Sequence, residues 1–184
     1  MVQSGWKNFE NRTKYLVMSY RCSVCGASHD DLPDIGMEKP DMWWGIPEGE
    51  RDRRIEFTPD TCIIDDEDFF IRGVLEIPIH DYPSSFGFGV WVSQKRENFL
   101  TYLDNFDSSE IGPFFGWLCN RIAFYEEDTL FLKTMAHFRG EGLRPDIALE
   151  QTDHPFAIDQ HNGITLDRAW EIVHFYMKSS AEDA

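Results

Sequence analysis

Residues 69–79, Phe-Phe-Ile-Arg-Gly-Val-Leu-Glu-Ile-Pro-Ile, constrain this chain more than any other stretch. In a β-strand, successive side chains point to opposite faces of the sheet. Phe69, Ile71, Gly73, Leu75 and Ile77 then share one face, while Phe70, Arg72, Val74 and Glu76 share the other. One face is apolar throughout and the other mixes apolar with charged groups. A turn region, His80 to Ser85, leads to the next strand, Phe86-Gly-Phe-Gly-Val-Trp-Val-Ser93, whose glycines suggest close packing or a bulge.

Around these two strands the pattern predicts further elements. Cys62-Ile63-Ile64 is a short apolar run, and Asp65 to Asp68 is a turn of acids. Residues 114–119, 129–138 and 145–150 read as strands. Ser93 is placed as the cap of a helix reaching Asn105, with Phe99, Tyr102, Leu103 and Phe106 at helical spacing. Thr165 caps a last helix to Lys178, where Leu166, Ala169, Trp170, Val173 and Met177 form one stripe. Pro47 to Ile55 can make a short helix, weakened by Gly49. The polar stretch from Thr152 to Gly163 reads as irregular. Together these predict an α+β fold: a mostly antiparallel sheet packed by two or three helices, with an irregular N-terminal segment resembling a zinc knuckle. The expected layout is a flexible leader over 1–20 (with Met18 as an alternative start), one α+β domain over 21–178, and a tail over 179–184. Within that domain, 21–58 is the knuckle segment and 59–178 holds the sheet and helices.

The charge balance narrows the partners. The chain of 184 residues has 17 Lys and Arg against 33 Asp and Glu, a net charge of −16. Non-specific nucleic-acid binding depends on Lys and Arg neutralising phosphates, so it is not expected, nor is attraction to an anionic membrane. A basic protein partner suits the charge better. No apolar run nears the roughly 20 residues of a membrane helix, and Met1 to Ser19 lacks the layout of a signal peptide. A cytoplasmic location and reduced cysteines follow as expectations.

The residues with the most specific chemistry are Cys22-Ser-Val-Cys25-Gly26-Ala-Ser-His29. A Cys-x-x-Cys turn lets two thiolates converge on one tetrahedral metal, and the following glycine permits the tight turn. His29 is a candidate third ligand; Cys62, His154 and His161 are candidates for the fourth. The competing reading is a pair of buried thiols beside a surface histidine. Cys62 and Cys119 sit in apolar strands, where a free cysteine behaves as a small hydrophobe. A thioredoxin-like redox pair is disfavoured, because Gly26, Pro33 and Pro40 follow where a helix should open.

The charged positions offer a second candidate. Arg72 and Glu76 lie on one strand face and, with Arg144 and Asp146, can form a charged groove or simply a solvated face. Asp153-His154, Asp159 and Gln160-His161 can line a cleft, complete a metal site, or bond their own backbone. Trp43 and Trp44 beside Met42 read as an interface anchor or as a lid on the core. No nucleophile elbow, P-loop, His-Glu-x-x-His or dinucleotide glycine pattern occurs, so no catalytic residue is assigned.

Taken in order, Cys22-x-x-Cys25-Gly26-x-x-His29, Leu32-Pro33, Arg51-x-x-Arg54, Asp60-x-Cys62, Phe70-Ile71-Arg72-Gly73 and Ile77-Pro78 form a recognisable series. It continues through Phe86-Gly-x-Gly-x-Trp91-Val-Ser93, Phe115-Gly116-Trp117-Leu118, Leu143-Arg144-Pro145 and Asp153-His154-Pro155 to Gln160-x-x-Gly163-Ile164. This series resembles a bacterial family catalogued as domain of unknown function 2199, over about residues 20–175. The resemblance implies no activity. It implies that Cys22, Cys25, His29, Cys62 and His154 match the family's pattern, which favours Cys62 or His154 as the fourth ligand of a zinc site. The expected function is a binding or interaction module with a structural metal knuckle. The alternatives are a metal-dependent hydrolase, with an open metal position near His154 and Gln160, and an acidic immunity or inhibitor-type protein.

Overall fold

The structure, a computed structural model, describes residues 20–21, 26–29 and 32–182. A two-stranded hairpin comes first, β1 (Tyr20–Arg21) with β2 (Ser28–His29). β3 (Ile35–Gly36), a 3-10 helix (Asp41–Gly45), α1 (Glu48–Arg54) and β4 (Ile55–Phe57) follow. Then come β5 (Thr61–Ile64), β6 (Asp68–Ile77), β7 (Phe86–Gln94), α2 (Arg96–Asp104), β8 (Phe114–Trp117), β9 (Lys133–His137) and β10 (Asp146–Leu149). α3 (Pro155–Asn162) and α4 (Leu166–Glu182) complete the chain.

The sheet is α+β in kind and mostly antiparallel. Its path is β3-β7-β6-β10-β9-β8, with β4 and β5 attached beside β6. β6 and β7 pair antiparallel from Phe69↔Gln94 to Ile77↔Phe86. Two pairings are parallel, β3 with β7 and β10 with β6. The sheet also curls back on itself: Val92 bridges Leu118, and the Trp117 amide donates to Ser93 Oγ at 3.1 Å. β8 therefore closes onto β7.

The outer edge of β6 changes partner midway. Its first half pairs with β5, ending at Ile71↔Thr61, and the Arg72 amide then donates to the Asp60 carbonyl. Two residues on, the Val74 amide donates to the Pro145 carbonyl, where β10 takes over. An ion pair, Arg144 Nε to Asp60 Oδ1 at 2.7 Å, staples the two partners across this handover.

The alternation on β6 sets the layers. Ile71, Leu75 and Ile77 are buried with Phe86, Phe88, Val90 and Val92 of β7 in the main core. α2 supplies Phe99 and Tyr102 to it, α3 supplies Phe156 and Ala157, and α4 supplies Ala169, Trp170, Ile172 and Val173. Gly73 faces this core because a Cβ there would collide with the Ile147 side chain. The opposite face carries a smaller cluster of Cys62, Ile64, Phe70, Trp91 and Cys119, topped by Ile46.

Several boundaries differ from the sequence expectation. Residues 155–162 are a helix, not an irregular loop: Pro155 occupies its first turn, His154 Nδ1 accepts from the Phe156 amide at 3.1 Å, and Phe156 is fully buried. Only Phe156 and Ala157 of this helix are buried, too few to leave a stripe in the sequence. Ser93 does not cap α2, because β7 runs on to Gln94 and the Ser93 hydroxyl serves the β8 seam. The strand over 129–138 shortens to Lys133–His137, since Phe131 sits at φ +64° in a turn. α4 continues into the expected tail, and Met177 is exposed although it lies at stripe spacing. The helices number four among the described residues.

Candidate functional site

The second face of the sheet is where charge and open space meet. A strap, residues 34–41, runs across it and is pinned throughout. The Gly87 amide donates to Asp34 Oδ1 at 2.8 Å, and β3 pairs with Phe88 and Gly89. The Met37 amide donates to the Gly89 carbonyl, and Trp91 Nε1 donates to the Met37 carbonyl at 3.1 Å. Asn120 Nδ2 donates to the Lys39 carbonyl, and the Asp41 amide donates to the Cys119 carbonyl, both at 2.8 Å.

Between strap and sheet lies a cavity of about 30 Å³ lined by Asp34, Ile35, Gly36, Arg72, Val74, Gly87, Gly89 and Arg144. Its floor exists because β7 alternates Phe with Gly: Phe86 and Phe88 enter the core, leaving Gly87 and Gly89 bare on this side. The Arg72 guanidinium lies across that bare floor, and a Cβ on Gly89 would sit 3.7 Å from its terminal nitrogen and 3.8 Å from Nε. Its carbon is 5.8 Å from the centre of the Trp91 ring. Arg72 Nε is buried without a hydrogen-bond partner. Among the described residues Arg72 makes no ion pair, whereas Arg144 is held by Asp60. Burial first, and the positive charge of Arg144 second, pull the Arg72 guanidinium below its ordinary pKa, with Asp60 and Glu38 opposing.

A ladder of alternating cations and aromatic rings leads outward from this cavity. Trp91 contacts Phe57, with ring centres 5.6 Å apart, and Lys39 Nζ sits 3.2 Å from the Phe57 centre and 4.4 Å from that of Trp43. Arg51 lies between Trp43 and the exposed Trp44. Trp43 and Trp44 thus form the outer layer of the second face. Burial, reinforced by Arg72, lowers the Lys39 pKa.

The other sequence candidates fall in different places. Glu76 shares the Arg72 face, but it is exposed and accepts from Ser85 Oγ at 2.8 Å. Asp146 pairs with Arg139 at 3.1 Å, and burial raises its pKa. Gln160 lies away from the cavity and acts as a substitute strand partner: its Oε1 accepts from the Leu149 amide and its Nε2 donates to the Ile147 carbonyl, each at 2.7 Å. His161 Nε2 bonds the Leu149 carbonyl, and Asp159 receives Tyr125 and Arg168. His154 caps α3 beside Tyr125, and its Nε2 is buried without a partner.

Cys22 and Cys25 lie outside the described residues, as does the side chain of His29. What is described on either side of the pair is the β1–β2 hairpin, with Gly26 at φ +72°. Cys62 and Cys119 are free and buried, and burial pushes both thiols up to about 12. Among the described residues, no group of three His, Cys, Asp or Glu side chains is placed to hold a metal ion, and no helix is long and apolar enough to cross a membrane.

Sequence reasoning missed the parts that make Arg72 distinctive, namely the Gly87 and Gly89 floor, Asp34 and Asp60. The Phe-Gly-Phe-Gly run held a usable signal, since glycines two apart share the face opposite the phenylalanines. The model of a family described as an uncharacterized protein conserved in bacteria, domain of unknown function 2199, matches residues 21–164. No curated protein and no solved structure matches the chain.

Proposed function

The chain belongs to that bacterial family, and from this premise we propose that it is a binding module whose recognition site for an anionic ligand is the cavity around Arg72. The carrying observation is the Arg72 guanidinium: half-buried, without hydrogen bond or ion pair among the described residues, and laid over a floor of glycines. A buried polar group without a partner costs stability. Such a group is retained where a ligand completes it, and unpaired charge in a cleft is a common mark of function. Arg144 at the same wall adds attraction for an anion, although Asp60 already holds its Nε.

Thermal unfolding in the presence of small organic and inorganic anions at matched ionic strength tests this reading. A saturable rise in Tm is expected for the wild type and none for Arg72→Met. If no anion raises the wild-type Tm, or if Arg72→Met responds equally, the site is elsewhere.

The metal knuckle has its own support. The pairing of Tyr20 with His29 and of Arg21 with Ser28 brings the two flanks of the Cys22–Cys25 turn together, and Gly26 takes the left-handed backbone that such a turn uses. Zinc held by Cys22, Cys25 and His29 would serve a structural role there. Of the two fourth-ligand candidates, Cys62 lies on the face crossed by the N-terminal segment, while His154 caps α3 against the main core. About one equivalent of zinc in purified protein, lost in Cys22→Ser, is expected; an unchanged metal content in that variant rules the knuckle out.

A further inference from the structure

Resting on the anion-binding reading above, we infer that the group recognised at Arg72 is a carboxylate, a planar monoanion that enters the slot edge-on against the guanidinium. A phosphate presents tetrahedral oxygens and is normally met by several converging N–H groups, as at a helix N-terminus or a backbone nest. Here the floor strand β7 is flanked by β3 on one edge and β6 on the other. The Gly87 amide is committed to Asp34, and the Gly89 carbonyl to Met37. The donors left over are guanidinium N–H groups, those of Arg72 and, beside them, the Arg144 nitrogen that Asp60 and the Pro59 carbonyl do not take. One planar fork of N–H groups matches one carboxylate through two parallel hydrogen bonds.

Shape points the same way. The slot is about 30 Å³, floored by glycine backbone and walled by Ile35 and Val74. The Trp91 ring centre lies 5.8 Å from the guanidinium carbon, a cation–π contact that takes up none of its N–H groups. Charge decides between one and two negative charges. Asp60 already neutralises Arg144, and both Asp60 and Glu38 act on Arg72. A dianion would add repulsion from Asp60 and Glu38, whereas a monoanion meets the Arg72 guanidinium, which no ion pair among the described residues satisfies.

The carboxylate can come from a free organic acid or from the end of a peptide. Titrations followed by the Arg72 Nε–H nuclear magnetic resonance signal separate these sources, using propionate, N-acetyl-dialanine, its C-terminal amide and inorganic phosphate as probes. Propionate or the free dipeptide should move the signal saturably, and the tighter of the two identifies the source. Phosphate and the amide should bind weaker by on the order of tenfold or more. Gly89→Ala is the second variant. Its Cβ would meet Gly36 and Arg72 at 3.6–3.8 Å, ordinary contact that leaves the fold intact but fills the floor. It should weaken carboxylate binding by about tenfold with an unchanged circular dichroism spectrum. Phosphate binding tighter than either carboxylate overturns this inference and leaves the anion site standing. No response to any probe overturns both.

Discussion

Ile71 and Arg72 are neighbours on β6 with opposite surroundings. Ile71 points into a core where helices, strands and rings fill every side; Arg72 points to a face where a strap crosses the two bare glycines of β7. On the first face the apolar side chains of β6 and β7 match across the register, Ile71 with Val92 and Leu75 with Phe88. On the second, Arg72 stands opposite Trp91, Val74 opposite Gly89 and Glu76 opposite Gly87. One face is built for stability, while the other leaves room and charge unspent. The same strand serves as scaffold on one side and as candidate site on the other, because its two residue parities answer to different demands.

The largest effects should come from breaking the first face. Phe156 is fully buried and meets Phe88 edge-on, with ring centres 5.4 Å apart, and it packs on Tyr125 at 4.8 Å. Phe156→Ala should cost about 3–5 kcal/mol in denaturant unfolding, the usual range for emptying an aromatic site. A loss under about 1 kcal/mol would mean that α3 does not bear on the core as described. Next in size is the seam where the sheet closes on itself. A Cβ on Gly116 would land on the Ser93 carbonyl oxygen. Gly116→Ala should therefore cost about 1–3 kcal/mol, the range for overpacking, and faster exchange of the Trp117 amide would locate the damage at the β7–β8 contact.

What could be read in advance divides along the same line. The buried parity of β6, the β7 strand, and the stripe through Ala169, Trp170 and Val173 were legible, because periodic burial leaves a periodic sequence. α3 was not, since it presents only Phe156 and Ala157 to the core and its start depends on the His154 cap. The candidate site was half legible. Arg72 and Arg144 could be named as a charged pair of positions, but their contrast could not: Asp60 neutralises one and nothing described neutralises the other. That contrast arises at the handover from β5 to β10, a long-range pairing with no local signature. Gln160, named for a cleft, serves instead as a rung beside β10, a role decided by tertiary packing.

The sign of the effect should reverse on the second face. Arg72→Met removes a half-buried charge and an unpartnered donor while keeping a flexible apolar stem against Trp91. Without ligand the variant should be more stable than the wild type by about 1 kcal/mol. That corresponds to a rise in Tm of about 2–4 °C for a chain of this size. A clear fall in Tm would show that Arg72 is a structural bond-maker, and the contrast between the faces would fail at its central residue.

The smallest effects set two carboxylates against each other. Asp65 lies outside the cavity and takes two bonds from Arg54, at 2.7 and 2.6 Å, which hold its carboxyl below the usual pKa. Asp146 belongs to the second face, where burial raises its carboxyl despite Arg139. The signs follow from linkage. The lowered Asp65 contributes stability that is present above the unfolded carboxylate pKa and lost as pH falls through its folded value. The raised Asp146 does the opposite: its ionised form is disfavoured at neutral pH, and the native state gains relative stability as pH falls from its raised value towards the usual one. Asp65→Asn should therefore lower Tm at pH 7 and lose its effect in acid. Asp146→Asn should raise Tm slightly at pH 7, with the gain shrinking in acid. Melting curves of both variants and the wild type at pH 7 and near pH 3.5 check this, and the same sign for both at pH 7 would show that burial on the second face does not set the state of Asp146.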